Sequence, residues 1–404
     1  MVTFIDYQYK GVGGVGQIVI NTTLELNKRG KRSKIYCSSE SYEYQRLRDC
    51  DASFDFIDSE LVPLSRLENF ISSDDVIVLT NINDTPLLEK IKHKKNKIVF
   101  YSVHPDTFFS SYPFYMDYLC NQKQKALELI SILYEHHSLH FMDWPNLKAV
   151  YDKGDIKFDK ISYLPVPVMS YLNKYRNTRP AVPFIITSLG RGNDTEKVYP
   201  ILKVLEDLNR IGATVKLSII TDINTLYQQM IKEYVPNNQI KIDYINNLQG
   251  ESLDNYLLQY SSLHIAQGTS ALEGAKLGIP TILIDAAREK FPDNYLYRWL
   301  YECEDFCLGG EIKNGQLPYN NGRSLSEILE TISTDEGYRK ESEACRLYLE
   351  KNHSIKSFVD RLEEACNKTT MTTSDYCNTR FSKNMYYILP LITCAAKIKN
   401  FLIR

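Results

Sequence analysis

The chain lacks long apolar runs, a strong charge of either sign and paired cysteines. No stretch of its 404 residues approaches the roughly 20 apolar residues that a membrane-spanning helix needs. The 48 basic and 50 acidic side chains leave a formal charge of −2, so nothing suggests a nucleic-acid surface as the main partner. No basic region with an apolar run precedes the first strand-like segment, so no signal peptide is expected. The 9 cysteines are scattered and odd in number. Cys303 and Cys307 are the nearest pair, and no second pair completes a zinc pattern. Reduced thiols in a cytoplasmic protein are therefore expected. Repeats and low-complexity tracts are also absent.

What is present is alternation. Apolar residues make up 43% and charged residues 24% of the chain, ordinary for a globular protein long enough for two domains. Strand-like runs in the first half are VTFID, RSKIYCS, VIVLT, KIVFYSV, LHFMD and KISYLPV. Helical patterns between them are GQIVINTTLELNKRG and MDYLCNQKQKALELISILYEH. After LPVPVMSYLNKYRNTRPAVPF, with four prolines, the series restarts. FIITSLG, TVKLSII, QIKIDYI, LHIAQG and PTILID alternate there with EKVYPILKVLEDLNRIG and SALEGAKLG. Unbroken apolar strands separated by helices imply parallel sheets covered on both faces. The pattern predicts an α/β protein of two doubly wound, Rossmann-like domains, with the proline-rich stretch as hinge.

Three stretches carry chemistry. In YQYKGVGGVGQ, Gly11, Gly13 and Gly16 fit G-x-G-x-x-G. The fit to a dinucleotide fingerprint is loose, because Tyr7 to Lys10 separate the glycines from the strand and the nearest acid beyond the next strand is Glu40. In SLGRGNDTEK, Arg191 and Lys197 follow a strand's carboxyl end, where a diphosphate would lie above a parallel sheet; solvated surface cations are the plainer reading. In QGTSALEGAKLGIP, a strand runs through Gly268, Thr269 and Ser270 into a helix whose free N–H groups suit a phosphate. Glu273 is expected in the first turn, either reaching toward a hydroxyl pair or closing a capping box with Ser270.

A proline-marked hinge, then G-R-x5-K, then G-T-S-x-x-E-x4-G-I-P resembles the nucleotide-sugar glycosyltransferases of the GT-B type. The group that builds bacterial capsule, O-antigen and related surface glycans is the most similar. The resemblance covers residues 1 to 365 and is strongest from 184 to 285. It implies two Rossmann-like domains facing a cleft: an acceptor domain at 1–168 and a nucleotide-sugar donor domain at 182–345. A C-terminal helix and tail follow at 346–404. It implies that Gly13 and Gly14 abut the transferred sugar or its phosphates, that Arg191 and Lys197 neutralise the diphosphate, that Gly268, Thr269 and Ser270 approach the phosphates, and that Glu273 binds the ribose hydroxyls. The substrates implied are a nucleotide-sugar donor, UDP among the bases, and a glycan or lipid-linked acceptor; no metal or other cofactor is expected. Retaining members carry an acid eight residues before this glutamate, where Ile265 stands here, so the stereochemistry stays open.

Two residues are candidates for the acceptor's proton. His104, in YSVHPDTFF, follows a strand of the first half and has the acid-base range for the task. Its other reading is a histidine bonded within its own loop. Asp143, in HFMDW, is the second candidate. Asp49-Cys50-Asp51 has the D-x-D form of a metal grip but follows a polar helical stretch and reads as surface charge. The end of the chain, NMYYILPLITCAAKIKNFLIR, mixes aromatics, aliphatics and cations. Either it packs back on the first domain, or residues 384–404 meet an anionic membrane from the cytoplasmic side. A UDP-sugar 2-epimerase of the same fold, a dinucleotide-dependent oxidoreductase and a non-catalytic partner subunit are the rival readings.

Overall fold

The computed structural model of the chain describes residues 1–5, 14–62, 64–82, 85–109, 115–169, 175–176, 178–180, 184–192 and 194–388. The chain divides into two units, Met1–Pro167 with Ile355–Arg404, and Val168–Ser354.

The first unit holds six strands: β1 (Val2–Ile5), β2 (Ser33–Cys37), β3 (Phe54–Asp58), β4 (Val76–Leu79), β5 (Lys97–Ser102) and β6 (Leu139–Phe141). They pair in the order β3-β2-β1-β4-β5-β6, each parallel to its neighbour. Every residue of β2 is buried, and β5 is buried after Lys97. Helices cover both faces, which is why these strands read as unbroken apolar runs. The winding runs outward from β1 to β3, then returns to β4. In such a sheet the crevice outside the carboxyl ends at the reversal is where ligands bind.

The second unit repeats the plan with β7 (Ile185–Leu189), β8 (Lys216–Thr221), β9 (Lys241–Asn246), β10 (Leu263–Ala266) and β11 (Thr281–Leu283). A two-stranded sheet pairs β12 (Ala286–Ala287) with β14 (Glu311–Ile312), and β13 (Arg298–Trp299) lies between them in the chain. The main sheet runs β13-β11-β10-β7-β8-β9. All neighbours are parallel except the edge strand β13. Its reversal falls between β7 and β10.

Local chemistry explains where elements differ from expectation. KISYLPV is not a strand: Tyr163 makes only an isolated bridge to Phe141. Pro165 and Pro167 lack the N–H groups a ladder needs. The edge strand β3 was not expected, because Asp55 and Asp58 interrupt its apolar run, which an edge tolerates. The helix expected across 116–136 breaks at Asn121, whose φ of 50° is left-handed, into Tyr115–Cys120 and Gln122–Glu135.

The chain crosses back to the first unit after Ser354. The helix Ile355–Lys368 packs on the helix Gly14–Lys28, where Arg29 lies 2.6 Å from Asp360 and Lys31 lies 2.5 Å from Glu363. Met371, Tyr376, Cys377, Phe381 and Met385 then join the first core. Among the described residues no helix is long and apolar enough to cross a membrane.

Candidate functional site

The loop after β7 is built from the next strand upward. Asp222, beyond β8, accepts from the N–H of Gly192 at 2.8 Å, from the Thr221 hydroxyl at 3.2 Å and from the N–H of Ile223 at 3.0 Å. These donors, the Gly192 N–H foremost, hold its carboxyl below the ordinary range. A Cβ on Gly192 would run into the carbonyl of Ile223. The G-R-G turn thus takes glycine at its third position because a neighbouring backbone fills the space. Tyr227 backs the same loop, its hydroxyl 3.4 Å from the carbonyls of both Arg191 and Lys197.

This loop leaves two cations without counter-ions. Asp194 caps the helix Thr195–Arg210 by accepting from the N–H of Glu196 at 3.0 Å. Glu196 pairs with Arg288. Arg191 is exposed and Lys197, in the first helical turn, is half-buried. Neither has a carboxylate within ion-pair distance among the described residues. Burial lowers the Lys197 pKa and Arg191 adds to the fall, while Asp194 opposes it. A cation in the first turn also faces the positive end of the helix dipole. An anion paired with Lys197 would offset both unfavourable terms.

The turn after β10 faces the same reversal point. Gly268 holds φ 61° and ψ −150°, a region open essentially to glycine, and starts the helix Thr269–Ala275 with no side-chain cap. The expected capping box is therefore not formed. Ser270 is the second helical residue and Glu273 belongs to the second turn, not the first. The Gly268 N–H donates to the Leu308 carbonyl at 2.6 Å. Beneath it lies His264, a residue that sequence reasoning passed over because it sits inside the apolar run LHIA. Its Nδ1 accepts from the Thr187 hydroxyl at 2.9 Å. Its Nε2–H donates to the Ser270 carbonyl at 3.0 Å, since a carbonyl can only accept. Burial pushes the imidazole down to about 4, so it is neutral and fixes the start of the helix. Gly274 is required here as well, because a Cβ would stand 2.7 Å from the His264 ring.

Glu273 is not alone. Lys276 lies 2.5 Å from its Oε2 and 2.8 Å from Oδ1 of Asp254, which belongs to the helix Gly250–Tyr260. Neither partner was singled out from sequence. A lysine three residues after the glutamate was the available signal.

The first unit is organised differently. Gly13, with the rest of the loop before the first helix, lies outside the described residues. Gly14 begins that helix with open space where a Cβ would stand. Gly16 is pressed against the Glu43 carboxyl, whose Cδ would lie 2.7 Å from a Cβ. Glu43 is fully buried and burial raises its pKa. The third glycine of the motif is thus explained by packing.

His104 follows β5 and is exposed. Its Nδ1 accepts from the N–H of Asp106 at 3.2 Å, and its carbonyl accepts from the Thr107 hydroxyl at 2.7 Å. A neutral ring with Nδ1 accepting carries its proton on Nε2. Asp143 caps the helix Trp144–Tyr151, its Oδ1 accepting from the Asn146 N–H at 3.2 Å. Burial raises its carboxyl pKa. It follows the edge strand β6, two strands from β4 and so about 10 Å from the reversal at the usual strand spacing. Of the D-x-D pair, Asp49 ends the helix Tyr42–Asp49 and Asp51 is an exposed turn residue with φ 49°.

No protein-family model and no curated protein matches the chain. Solved structures do resemble it. A glycosyltransferase from Rickettsia africae is 15% identical with a TM-score of 0.60, covering 91% of this chain and 97% of that one. HepE of Anabaena, solved with UDP and glucose, is 12% identical with a TM-score of 0.54, covering 91% and 99%. TarM of S. aureus, solved with Fondaparinux, alpha-GlcNAc-glycerol and UDP, is 9% identical with a TM-score of 0.55, covering 91% and 99%. At such identities the likeness speaks to architecture, and it agrees with two sheets whose first five strands wind alike: the chain has the two-Rossmann-domain fold of the GT-B glycosyltransferases.

Proposed function

We propose that this protein is a glycosyltransferase that moves a sugar from a nucleoside-diphosphate sugar to an acceptor hydroxyl, in the assembly of a bacterial surface glycan. The observation that carries the reading is a pair of cations, Arg191 and Lys197, with no counter-ion among the described residues, at the carboxyl end of β7 where the second sheet reverses. The glycine turn at Gly268 lies on the other side of that reversal, and Glu273 on the helix behind it. UDP or a UDP-sugar in the HepE and TarM structures supports the same donor class. In the reaction the bond from the anomeric carbon to the diphosphate breaks, and a bond to the acceptor oxygen forms. The departing diphosphate gains negative charge, which Arg191 and Lys197 stabilise. The acceptor's proton leaves with the forming bond.

Of the two residues proposed for the acceptor side, His104 stands one strand from β4 and Asp143 two. The ring orientation of His104 makes Nε2 a donor. It therefore suits a hydrogen bond to the transferred sugar better than removal of a proton. Asp143 is already committed to a helix cap. Membrane contact through the tail would not use Asn384 and Met385, which are buried, with Asn384 donating to Gln122 at 2.8 Å, whereas Tyr387 is exposed. Residues 389–404 lie outside the described residues.

The test is calorimetry of UDP, GDP and their sugars with the full chain, followed by transfer assays with and without acceptor. Binding that survives replacement of both Arg191 and Lys197 by alanine overturns the donor site. Turnover of a UDP-sugar without any acceptor points to an epimerase instead.

A further inference from the structure

We infer that Lys276 is a positioning residue that holds the Glu273 carboxylate ready for a vicinal diol, making the donor site selective for ribonucleoside diphosphates over those lacking the ribose hydroxyls. The inference rests on the donor role proposed for Glu273.

The three groups form a graded series. Asp254 and Lys276 expose 4% and 9% of their side chains, and Glu273 exposes 26%. Burying an ammonium is unfavourable unless partners offset its lost hydration. Here burial pulls the Lys276 pKa down, while Glu273 and Asp254 together outweigh it and leave the pKa raised. Lys276 is thus charged, and the three groups sum to one negative charge. The buried end of the series is neutralised, so the surplus sits on the exposed member, Glu273.

Direction follows from helix geometry. Helical side chains lean toward the N-terminus of their helix. Glu273 leans from the second turn toward Thr269 and Ser270, and Lys276 leans from the next turn toward Glu273. Lys276 engages Oε2, and Oε1 accepts no hydrogen bond among the described residues. A carboxylate oxygen has two acceptor sites, enough for the hydroxyls of a diol. A free glutamate would lose side-chain entropy on binding. One already held at Oε2 loses less, so the diol gains the difference. Lys276 also ties the helix Gly250–Tyr260 to the helix Thr269–Ala275, and a purely structural tie makes a different prediction. Its loss would weaken every nucleotide equally, whereas loss of a positioning residue weakens only ligands that carry the diol.

The experiment compares UDP with 2′,3′-dideoxy-UDP, and GDP with its dideoxy form, by calorimetry on the full chain. Wild type should prefer the ribose form by roughly 10–100-fold, the range of hydrogen bonds to a charged acceptor. Lys276→Met should cut that preference to about 3-fold or less with the dideoxy affinity unchanged, and Lys276→Arg should restore it. Asp254→Asn, which loosens the lysine without removing it, should give an intermediate ratio and serves if Lys276→Met fails to fold. If Glu273→Gln abolishes the preference and both Lys276→Met and Asp254→Asn keep it, the inference fails and the role of Glu273 stands. If Glu273→Gln keeps the preference, or no nucleotide binds wild type, the proposed donor role fails and the inference with it.

Discussion

The two sheets wind alike and are furnished differently. Both run outward over three strands, return, and continue past the first, so each has one reversal and one crevice. Around the second reversal the loops are held from outside themselves: Gly192 by Asp222, Ser270 by His264, Gly268 by Leu308. Among the described residues the charges they carry, Arg191 and Lys197, have no carboxylate within ion-pair distance. Near the first reversal the polar groups are spent locally. His104 is bonded within its own loop, Asp143 caps a helix, and Glu43 is buried against Gly16. Winding decides where a site can stand. The loops decide what stands there: two cations at the second reversal, and locally bonded polar groups near the first.

That contrast predicts opposite outcomes for substitutions in the two units. His104→Ala should lower kcat by roughly 10²–10⁴-fold, the usual contribution of a positioned polar or acid-base group, and leave nucleotide affinity intact. His104→Gln, which can still donate, should recover part of the rate. Equal losses for both variants would favour a proton-accepting role, and a fully active His104→Ala would end the assignment. In the second unit, Arg191→Ala combined with Lys197→Ala should weaken nucleotide binding by roughly 3 kcal/mol, about a hundredfold, with the melting temperature near wild type. Calorimetry and thermal unfolding on the same samples separate the two effects.

Each unit also keeps a buried histidine held neutral, His140 in the first and His264 in the second, and this shared feature sets a smaller effect. His140 bonds Ser162 through Nδ1 at 2.7 Å. Burial pushes both His140 and His264 from 6.5 down to about 4. The fold therefore binds these protons less readily than the unfolded chain. Stability is full above pH 6.5 and falls as pH drops toward 4. Between pH 6.5 and 5 each histidine should remove roughly 2 kcal/mol. Urea unfolding at those two pH values measures it. A profile flat across this range would show that neither ring is held neutral.

Much of the fold was legible in the sequence because parallel strands buried on both faces leave unbroken apolar runs. β2, β5, β7 and β10 stand where those runs stand. β3 escaped because an edge strand tolerates Asp55 and Asp58, and KISYLPV misled because prolines do not mark a run as unpaired until its partner is known. The loops were legible as spacing only. G-R-x5-K placed Arg191 and Lys197 on one loop, but nothing local shows that Asp222, thirty residues on, organises it. Ser270 followed by Glu273 has the form of a capping box. Gly268 displaced it by taking a backbone conformation that moves the helix start back two residues. His264, Lys276 and Asp254 were missed because their roles depend on pairings between elements, and a single sequence carries no record of those.

The smallest expected effect probes the half-buried cation itself. Lys197 has a pKa below that of an ordinary lysine, chiefly through burial. A bound diphosphate favours its charged form, so the pKa must rise in the complex. Binding then takes up protons in the pH window between the two values, and affinity falls as pH rises through the free-enzyme value. The diphosphate is fully ionised throughout that alkaline window, so the lysine is the group that reports. Calorimetry at about pH 9 in buffers of different ionisation enthalpy should show a fractional proton uptake and a loss of affinity under tenfold relative to neutral pH. Lys197→Arg keeps its charge at any accessible pH and should bind with no uptake. Uptake unchanged in Lys197→Arg would place the titrating group elsewhere. No uptake in either protein would remove Lys197 from contact with the diphosphate, and leave Arg191 and the Gly268 turn to hold it alone.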